Sequence, residues 1–187
     1  RVLSADDDLA GVRVLVTAGG TREAIDPVRV ITNRSSGKQG YAIAAEALSR
    51  GAKVTLVTTT NLPVPAGADV IDVVSAADMQ AAVMPVADDH DVIVMAAAVA
   101  DYKVKNISDQ KIKKKSDKMT LNLAKTPDIV SIVKENNPKL FVLGFAAETC
   151  PIKVDLPALG KPNKPTSANN NNSSLISRTS PGVPSVF

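Results

Sequence analysis

The chain has 187 residues, enough for one domain of ordinary size with a sizeable core. Its 22 basic and 19 acidic side chains nearly cancel, which argues against a nucleic-acid or membrane-surface protein and makes any anion site a local feature. A lone cysteine, Cys150, excludes an internal disulfide framework, and no apolar run reaches the roughly 18 residues of a membrane span, so a cytoplasmic protein is expected.

Residues 1–10 are polar and acidic and read as the end of a linker, with the domain proper over residues 11–149. Residues 12–18 (VRVLVTA) form a near-continuous apolar, β-branched run, and so do residues 53–59, 91–98 and 140–147. Continuous rather than alternating hydrophobicity predicts strands covered on both faces, the central strands of a parallel sheet.

After the first strand comes AGGTREAIDP, residues 18–27, in which Gly19 and Gly20 allow close backbone approach to a ligand. The dinucleotide fingerprint G-x-G-x-x-G would need a glycine where Arg22 stands and is absent. Residues 28–40, VRVITNRSSGKQG, superficially follow a phosphate-binding P-loop, but Thr32 stands five residues before Gly37, and Gln39 rather than Ser or Thr follows Lys38. The residue chemistry still favours an anion. Ser35 and Ser36 are expected to cap a helix, and Gly37 exposes its first N–H groups, where the helix dipole attracts phosphate. Caps alone do not require Arg29, Asn33 and Lys38 to crowd the same turn.

The helix that follows has Tyr41, Ala44, Ala45 and Leu48 at helical spacing and Gly51 as C-cap. A second helix starts from Ser75 as N-cap, and a third from Thr126 as N-cap with Pro127 at its first position. Strands alternating with helices predict a Rossmann-like, doubly wound, mainly parallel α/β sheet whose ligands lie beyond the carboxyl ends of the strands.

Two later strand ends carry further candidates. Ala96, Ala97 and Ala98 let a flat ring or acyl chain lie against the backbone, and Asp101 accepts hydrogen bonds from hydroxyls, although alanines alone signify tight packing. Beyond them Lys111, Lys113, Lys114 and Lys115 make a basic run in a long polar loop, read as a Lys-rich lid, with a solvated charge run as the plain alternative. Phe145 after the last strand either stacks on a base or finishes the core. His90 has no second His or Cys nearby, so no metal site is expected from it. Residues 150–187, rich in Pro, Asn and Ser, predict a largely disordered tail.

The segments VTAGGTREAIDPVRVITNRSSGKQGYAIA, MAAAVADY, KIKK and GFAAET, in this order and spacing, resemble phosphopantothenoylcysteine synthetases (phosphopantothenate–cysteine ligases) over about residues 11–149. The resemblance implies a CTP- and Mg²⁺-dependent ligase of coenzyme A biosynthesis. It would activate 4′-phosphopantothenate as an acyl-cytidylate and then join it to L-cysteine with release of CMP. It further implies a homodimer, and a preceding flavin (FMN)-dependent decarboxylase domain, fused or associated. By the same resemblance Asn33 binds the acyl-nucleotide, Lys111 serves formation of the intermediate, and Arg29 reaches the phosphopantothenate of the neighbouring subunit. Gly20, Ser35, Gly37 and Gly40 match positions near the triphosphate. Ala96, Ala97, Ala98 and Asp101 match the strand-end pocket, and Pro127, Asp128, Ile129, Val130 and Phe145 the nucleoside side. After Thr149 the sequence departs from the family pattern, which predicts a pocket open on one side and an exposed apolar surface.

Two other classes compete. A short-chain oxidoreductase also begins VLVTAGGT, but it needs Tyr-x-x-x-Lys, and Tyr41 and Tyr102 are followed four residues later by Ala45 and Asn106. A non-catalytic nucleotide-binding module is the second rival.

Overall fold

The structure is a computed structural model whose description covers residues 7–114 and 117–145, all within the compact unit Arg1–Ala146. Lys115, the Ala146 to Thr149 end of GFAAET, Cys150 and the tail at 150–187 lie outside the described residues, as do the first six residues of the linker reading.

In chain order the elements begin with strand β1 (Arg13–Ala18), the short hairpin strands β2 (Arg22–Ala24) and β3 (Val30–Thr32), and helix α1 (Lys38–Ser49). Next come β4 (Lys53–Thr58), β5 (Asp69–Asp72), helix α2 (Ala76–Val83), a 3-10 segment Met84–Asp89 and β6 (Val92–Met95). The small strands β7 (Tyr102–Val104) and β8 (Leu123–Lys125), helix α3 (Ile129–Asn136) and β9 (Phe141–Gly144) complete the series. The main sheet has the order β5-β4-β1-β6-β9, and every pairing in it is parallel. This is the doubly wound α/β architecture read from the sequence.

All four expected central strands are present as β1, β4, β6 and β9, each at or slightly inside its expected bounds. β5 is an addition. Its sequence, DVID, is too short and too charged to announce a strand, and it forms because β4 offers a free edge with Thr55 to Thr58 opposite. The connection from β4 to β5 carries no helix, so the expected β-α-β-α-β order gains a strand before α2.

Two apolar layers hold the sheet. On one face Leu15, Val57, Ile93 and Met95 pack with Met79 and Val83 of α2 and with Ile129 and Val133 of α3. On the other, Val14, Val16, Val54 and Leu56 pack with Tyr41, Ala44 and Ala47 of α1. A strand buried on both faces, as β1 is from Val14 onward, explains its unbroken hydrophobic run. Ser75 caps α2 as expected, in a full capping box with Asp78. Gly51 takes a left-handed φ of 86° just past α1, and its N–H donates to the Leu48 carbonyl. Among the described residues no helix is long and apolar enough to cross a membrane.

One glycine sets how closely α1 sits on the sheet. A Cβ on Gly40 would lie 2.6 Å from the Ala18 Cβ and 2.9 Å from the Thr17 carbonyl oxygen. At an open helical position Gly→Ala gains up to about 1 kcal/mol, whereas forcing a methyl into a filled space costs typically about 1–3 kcal/mol. The second effect wins here because the obstacle includes backbone. Gly40→Ala is expected to lower the urea midpoint of unfolding; an unchanged or higher midpoint would show that α1 lifts off the sheet freely.

Candidate active site

The strand order reverses between β1 and β6, which places a crevice at their carboxyl ends. The segments that follow β1 and β6 stay joined beyond the sheet there. Ala98 N–H donates to the Gly19 carbonyl at 2.7 Å, and Thr21 N–H donates to the Ala98 carbonyl at 3.2 Å. Buried hydroxyls fasten the same loop from below. Thr17 Oγ1 accepts from Ala97 N–H, Thr21 Oγ1 accepts from Ala100 N–H, and Thr126 Oγ1 donates to the Ala100 carbonyl. The alanine loop is therefore a fixed platform rather than a loose connection.

Asn33 lies against this platform, its Nδ2 donating to the carbonyls of Val99 at 3.2 Å and Ala98 at 3.4 Å. Gly20 sits beside it: a Cβ there would be 2.7 Å from the Asn33 carbonyl oxygen. A Cβ on Gly19, at φ 90°, would lie 2.2 Å from Thr59 Oγ1. The missing side chains of this pair thus admit neighbouring chain, which is a different use from the ligand approach expected of them.

The serines do not cap α1. Gly37 is the N-cap, in the left-handed conformation at φ 75°, and has no side chain to cap the first turn. Ser36 Oγ stands 3.5 Å from Lys38 N–H, and Ser35 is held through its backbone N–H to the Asn33 carbonyl. The left-handed turn at Gly37, which a serine would adopt only with strain, moves the capping position one residue on. Apart from Lys38 N–H, which donates to Ser36 Oγ, the first-turn amides of α1 therefore have no side-chain acceptor, and this follows from glycine rather than from the serines. Beside them, Thr59 Oγ1 is buried without a hydrogen-bond partner, and Gly37 lies close to Thr60 and to Gly19 N. Uncapped amides and an unused hydroxyl make this end of the crevice rich in donors. Thr59 was not among the residues the sequence singled out, because nothing local marks a threonine at a strand end.

The hairpin of β2 and β3 carries the second cluster. At its turn the Asp26 carboxylate, whose side chain is 0% exposed, accepts from the N–H groups of Val28 and Arg29 and from the Arg29 guanidinium. It also accepts from Ile112 N–H at 3.0 Å, while Arg29 Nη2 donates to the Ile112 carbonyl at 3.0 Å. Both backbone groups of Ile112 are thereby tied to the hairpin, and the exposed Lys111, Lys113 and Lys114 flank it. Ser108 N–H adds a bond to the Ile25 carbonyl. The Lys-rich segment is anchored at these points. Within this chain Arg29 serves that anchorage, and sequence reading missed Asp26 altogether.

At the residues expected to face a nucleoside, Thr126 is not the cap of α3. Its backbone N–H donates to the Asp101 carbonyl and its hydroxyl turns inward, so the helix begins after Asp128, whose carboxylate accepts from Ser131 N–H and Oγ. Those bonds hold the Asp128 carboxyl below its ordinary range. Pro127 precedes the helix instead of opening it. Ile129 is buried in the core, which leaves only its backbone for a ligand. Val130 is exposed, and Phe145, 46% exposed, does not complete the core; its N–H donates to the Met95 carbonyl. Phe141 and Leu143 of β9 are exposed as well. Asp101 is exposed at the platform's edge.

Fold and site together define an open, doubly wound α/β protein with a donor-rich crevice at its switch point and a basic segment moored nearby. The chain belongs to the DNA/pantothenate metabolism flavoprotein C-terminal domain family, whose sequence model matches residues 9–159. It is 53% identical over 147 residues to the coenzyme A biosynthesis bifunctional protein CoaBC of Vibrio vulnificus (strain YJ016), covering 75% of this chain and 36% of that protein. To the protein of the same name in Escherichia coli (strain K12) it is 45% identical over 150 residues, covering 76% and 36%. The chain thus spans little more than a third of these relatives. A crystal structure of the C-terminal domain of CoaBC is similar at a TM-score of 0.67 and 43% identity, over 77% of this chain and 68% of that one.

The Arg29 guanidinium and the N–H groups around Asp26 hold its carboxyl well below the usual carboxylate range. A depressed native value means that the stabilisation is complete above the unfolded value of about 3.9 and is lost as the pH falls from there towards the native one. Wild type is therefore expected to exceed Asp26→Asn in its denaturation midpoint by a constant margin from pH 7 to about pH 4 and by a shrinking margin below that. A margin that shrinks already between pH 7 and 5 would contradict the ion pair.

Proposed function

We propose that this chain is the phosphopantothenate–cysteine ligase unit of coenzyme A biosynthesis, with residues 11–149 as its ligase domain, acting in the cytoplasm. In the first half-reaction the carboxylate of 4′-phosphopantothenate attacks the α-phosphorus of CTP; the bond to the β-phosphate oxygen breaks and pyrophosphate leaves. In the second, the amine of L-cysteine attacks the acyl carbon, CMP leaves, the amine gives up a proton, and the amide of 4′-phosphopantothenoylcysteine forms.

Family membership gives this reading its prior, and one observation carries it to the residues: the Asn33 platform and the lysine segment are served by the same hairpin. Asn33 lies four positions after Arg29, about 13 Å at the rise of a strand, a span that one acyl-nucleotide covers. Asn33 would then bind the acyl-cytidylate and donate to the oxygen that gains charge during cysteine attack. Lys111, a compact ammonium on a long stem, would follow the phosphate through its transfer. Arg29 uses Nε and Nη2 internally, which leaves Nη1 for the phosphopantothenate of a neighbouring subunit in a homodimer. The uncapped end of α1, with Gly20, Ser35, Gly37, Gly40 and Thr59, would receive the triphosphate. Ala96, Ala97, Ala98 and Asp101 would line the acyl pocket, and Pro127, Asp128, the Ile129 backbone, Val130 and Phe145 the cytidine side.

Among the described residues no group of three or more His, Cys, Asp or Glu side chains gathers as a metal site. A Mg²⁺ ion would be carried by the nucleotide, where it would neutralise phosphate charge. A flavin-dependent decarboxylase domain, fused or associated, would use the product.

A non-catalytic nucleotide-binding module is the second reading, favoured by the exposed apolar Phe141 and Leu143 of β9 and Phe145 just after it, which would leave an expected cytidine side uncovered. Pyrophosphate release from CTP separates the two, because only a ligase releases it in a phosphopantothenate-dependent way. Lys111→Gln is expected to slow that release by about 10²-fold or more. Asn33→Asp should retain one turnover of pyrophosphate release but lose about 10²–10³-fold in amide formation. Equal loss of both steps in Asn33→Asp would remove its assigned role.

A further inference from the structure

Asp26 is the most heavily bonded acidic side chain of the described hairpins, and the chemistry proposed above gives it no part. Two of its bonds, from Val28 N–H and Arg29 N–H, close a local turn that an exposed aspartate would close equally well. They do not explain why the carboxylate is buried, nor why it reaches a residue 86 positions away. The remaining bonds do. A buried carboxylate needs compensating charge and donors, and here these are the Arg29 guanidinium and Ile112 N–H. Arg29 in turn holds the Ile112 carbonyl. The three residues close a ring, from carboxylate to guanidinium to carbonyl and, through the same peptide residue, back to carboxylate.

We infer that Asp26 is a positioning residue, a latch that moors the lysine segment at Ile112 and thereby presents Lys111 and Arg29 side by side. The latch grips only the backbone at Ile112. The lysine side chains on either side are exposed and keep their freedom to follow a phosphate. A neutral amide at position 26 would keep an acceptor for one N–H but lose the charge that holds the guanidinium, so the segment would detach while the turn persisted. That Lys111 is the beneficiary rests on the ligase reading; the mooring itself does not.

Two arms keep those apart. In the first, the full chain is digested briefly with trypsin at neutral pH and the cuts are mapped by mass. Asp26→Asn should raise cleavage after Lys111 and Lys113 by at least about ten-fold, as expected for loss of a charge-assisted bond, with cleavage after Lys53 and Lys134 unchanged. Ile112→Pro deletes the N–H that Asp26 accepts without touching the hairpin turn, and should raise cleavage after Lys113 in the same way, the bond after Lys111 then being a Lys–Pro bond that trypsin does not cut; it covers the case in which Asp26→Asn fails to fold. Unchanged cleavage at the lysine segment, or a rise shared in proportion by Lys53 and Lys134, would overturn the latch and leave Asp26 a general structural residue. In the second arm, Asp26→Asn should slow phosphopantothenate-dependent pyrophosphate release, and the Asp26→Asn, Lys111→Gln double variant should lose less than the product of the two single losses, because part of the Asp26 effect acts through Lys111. Additive losses would overturn the positioning role. Raised cleavage in Asp26→Asn together with a wild type that releases no pyrophosphate would overturn the ligase reading and leave the mooring standing.

Discussion

Two hydrogen bonds between the Gly19–Thr21 stretch and Ala98 hold together the part of the molecule on which the site depends. They continue the pairing of β1 with β6 past the end of the sheet, at the point where the strand order reverses. Without them the alanine loop after β6 would be an ordinary surface connection. With them it becomes a platform, seated on Thr17, Thr21 and Thr126, against which Asn33 sets its amide. Burial of those hydroxyls strengthens the arrangement, since each would be costly to leave unpaired in the interior.

The charge distribution follows the same economy. A net charge of +3 over 187 residues creates no large field. Unspent donors are left in the first turn of α1, beyond the Lys38 N–H that Ser36 accepts, and at the Thr59 hydroxyl, while exposed lysines flank the moored backbone of Ile112. Glycine makes the first of these possible. Gly37 turns the chain into α1 without offering a capping oxygen, and Gly40 lets the helix settle on β1. A serine at position 37 would add a capping oxygen at the cost of a strained φ.

Much of the architecture was legible in the sequence because burial on both faces writes a distinctive signature. β1 and β4 could scarcely be read otherwise. β5 was not legible, since an edge strand flanked by aspartates owes its existence to the neighbour it pairs with. The caps of α1 and α3 were misplaced for a related reason. Ser35, Ser36 and Thr126 are good capping residues in isolation, but a cap depends on the φ and ψ of the turn, and Thr126 is drawn inward to the Ala100 carbonyl instead. Ser75, whose capping box closes within four residues, was read correctly.

The sequence by itself determined the doubly wound sheet and, through the order of its motifs, the family. These follow from hydrophobic period and from residues close together along the chain, which act before any long-range contact forms. Only the tertiary structure decided that Gly19 and Gly20 make room for chain, that Thr59 is buried unpaired, and that Asp26 and Arg29 grip the backbone of Ile112. Each of these joins residues far apart in sequence, and such a partnership exists only once the sheet has brought them within hydrogen-bonding distance.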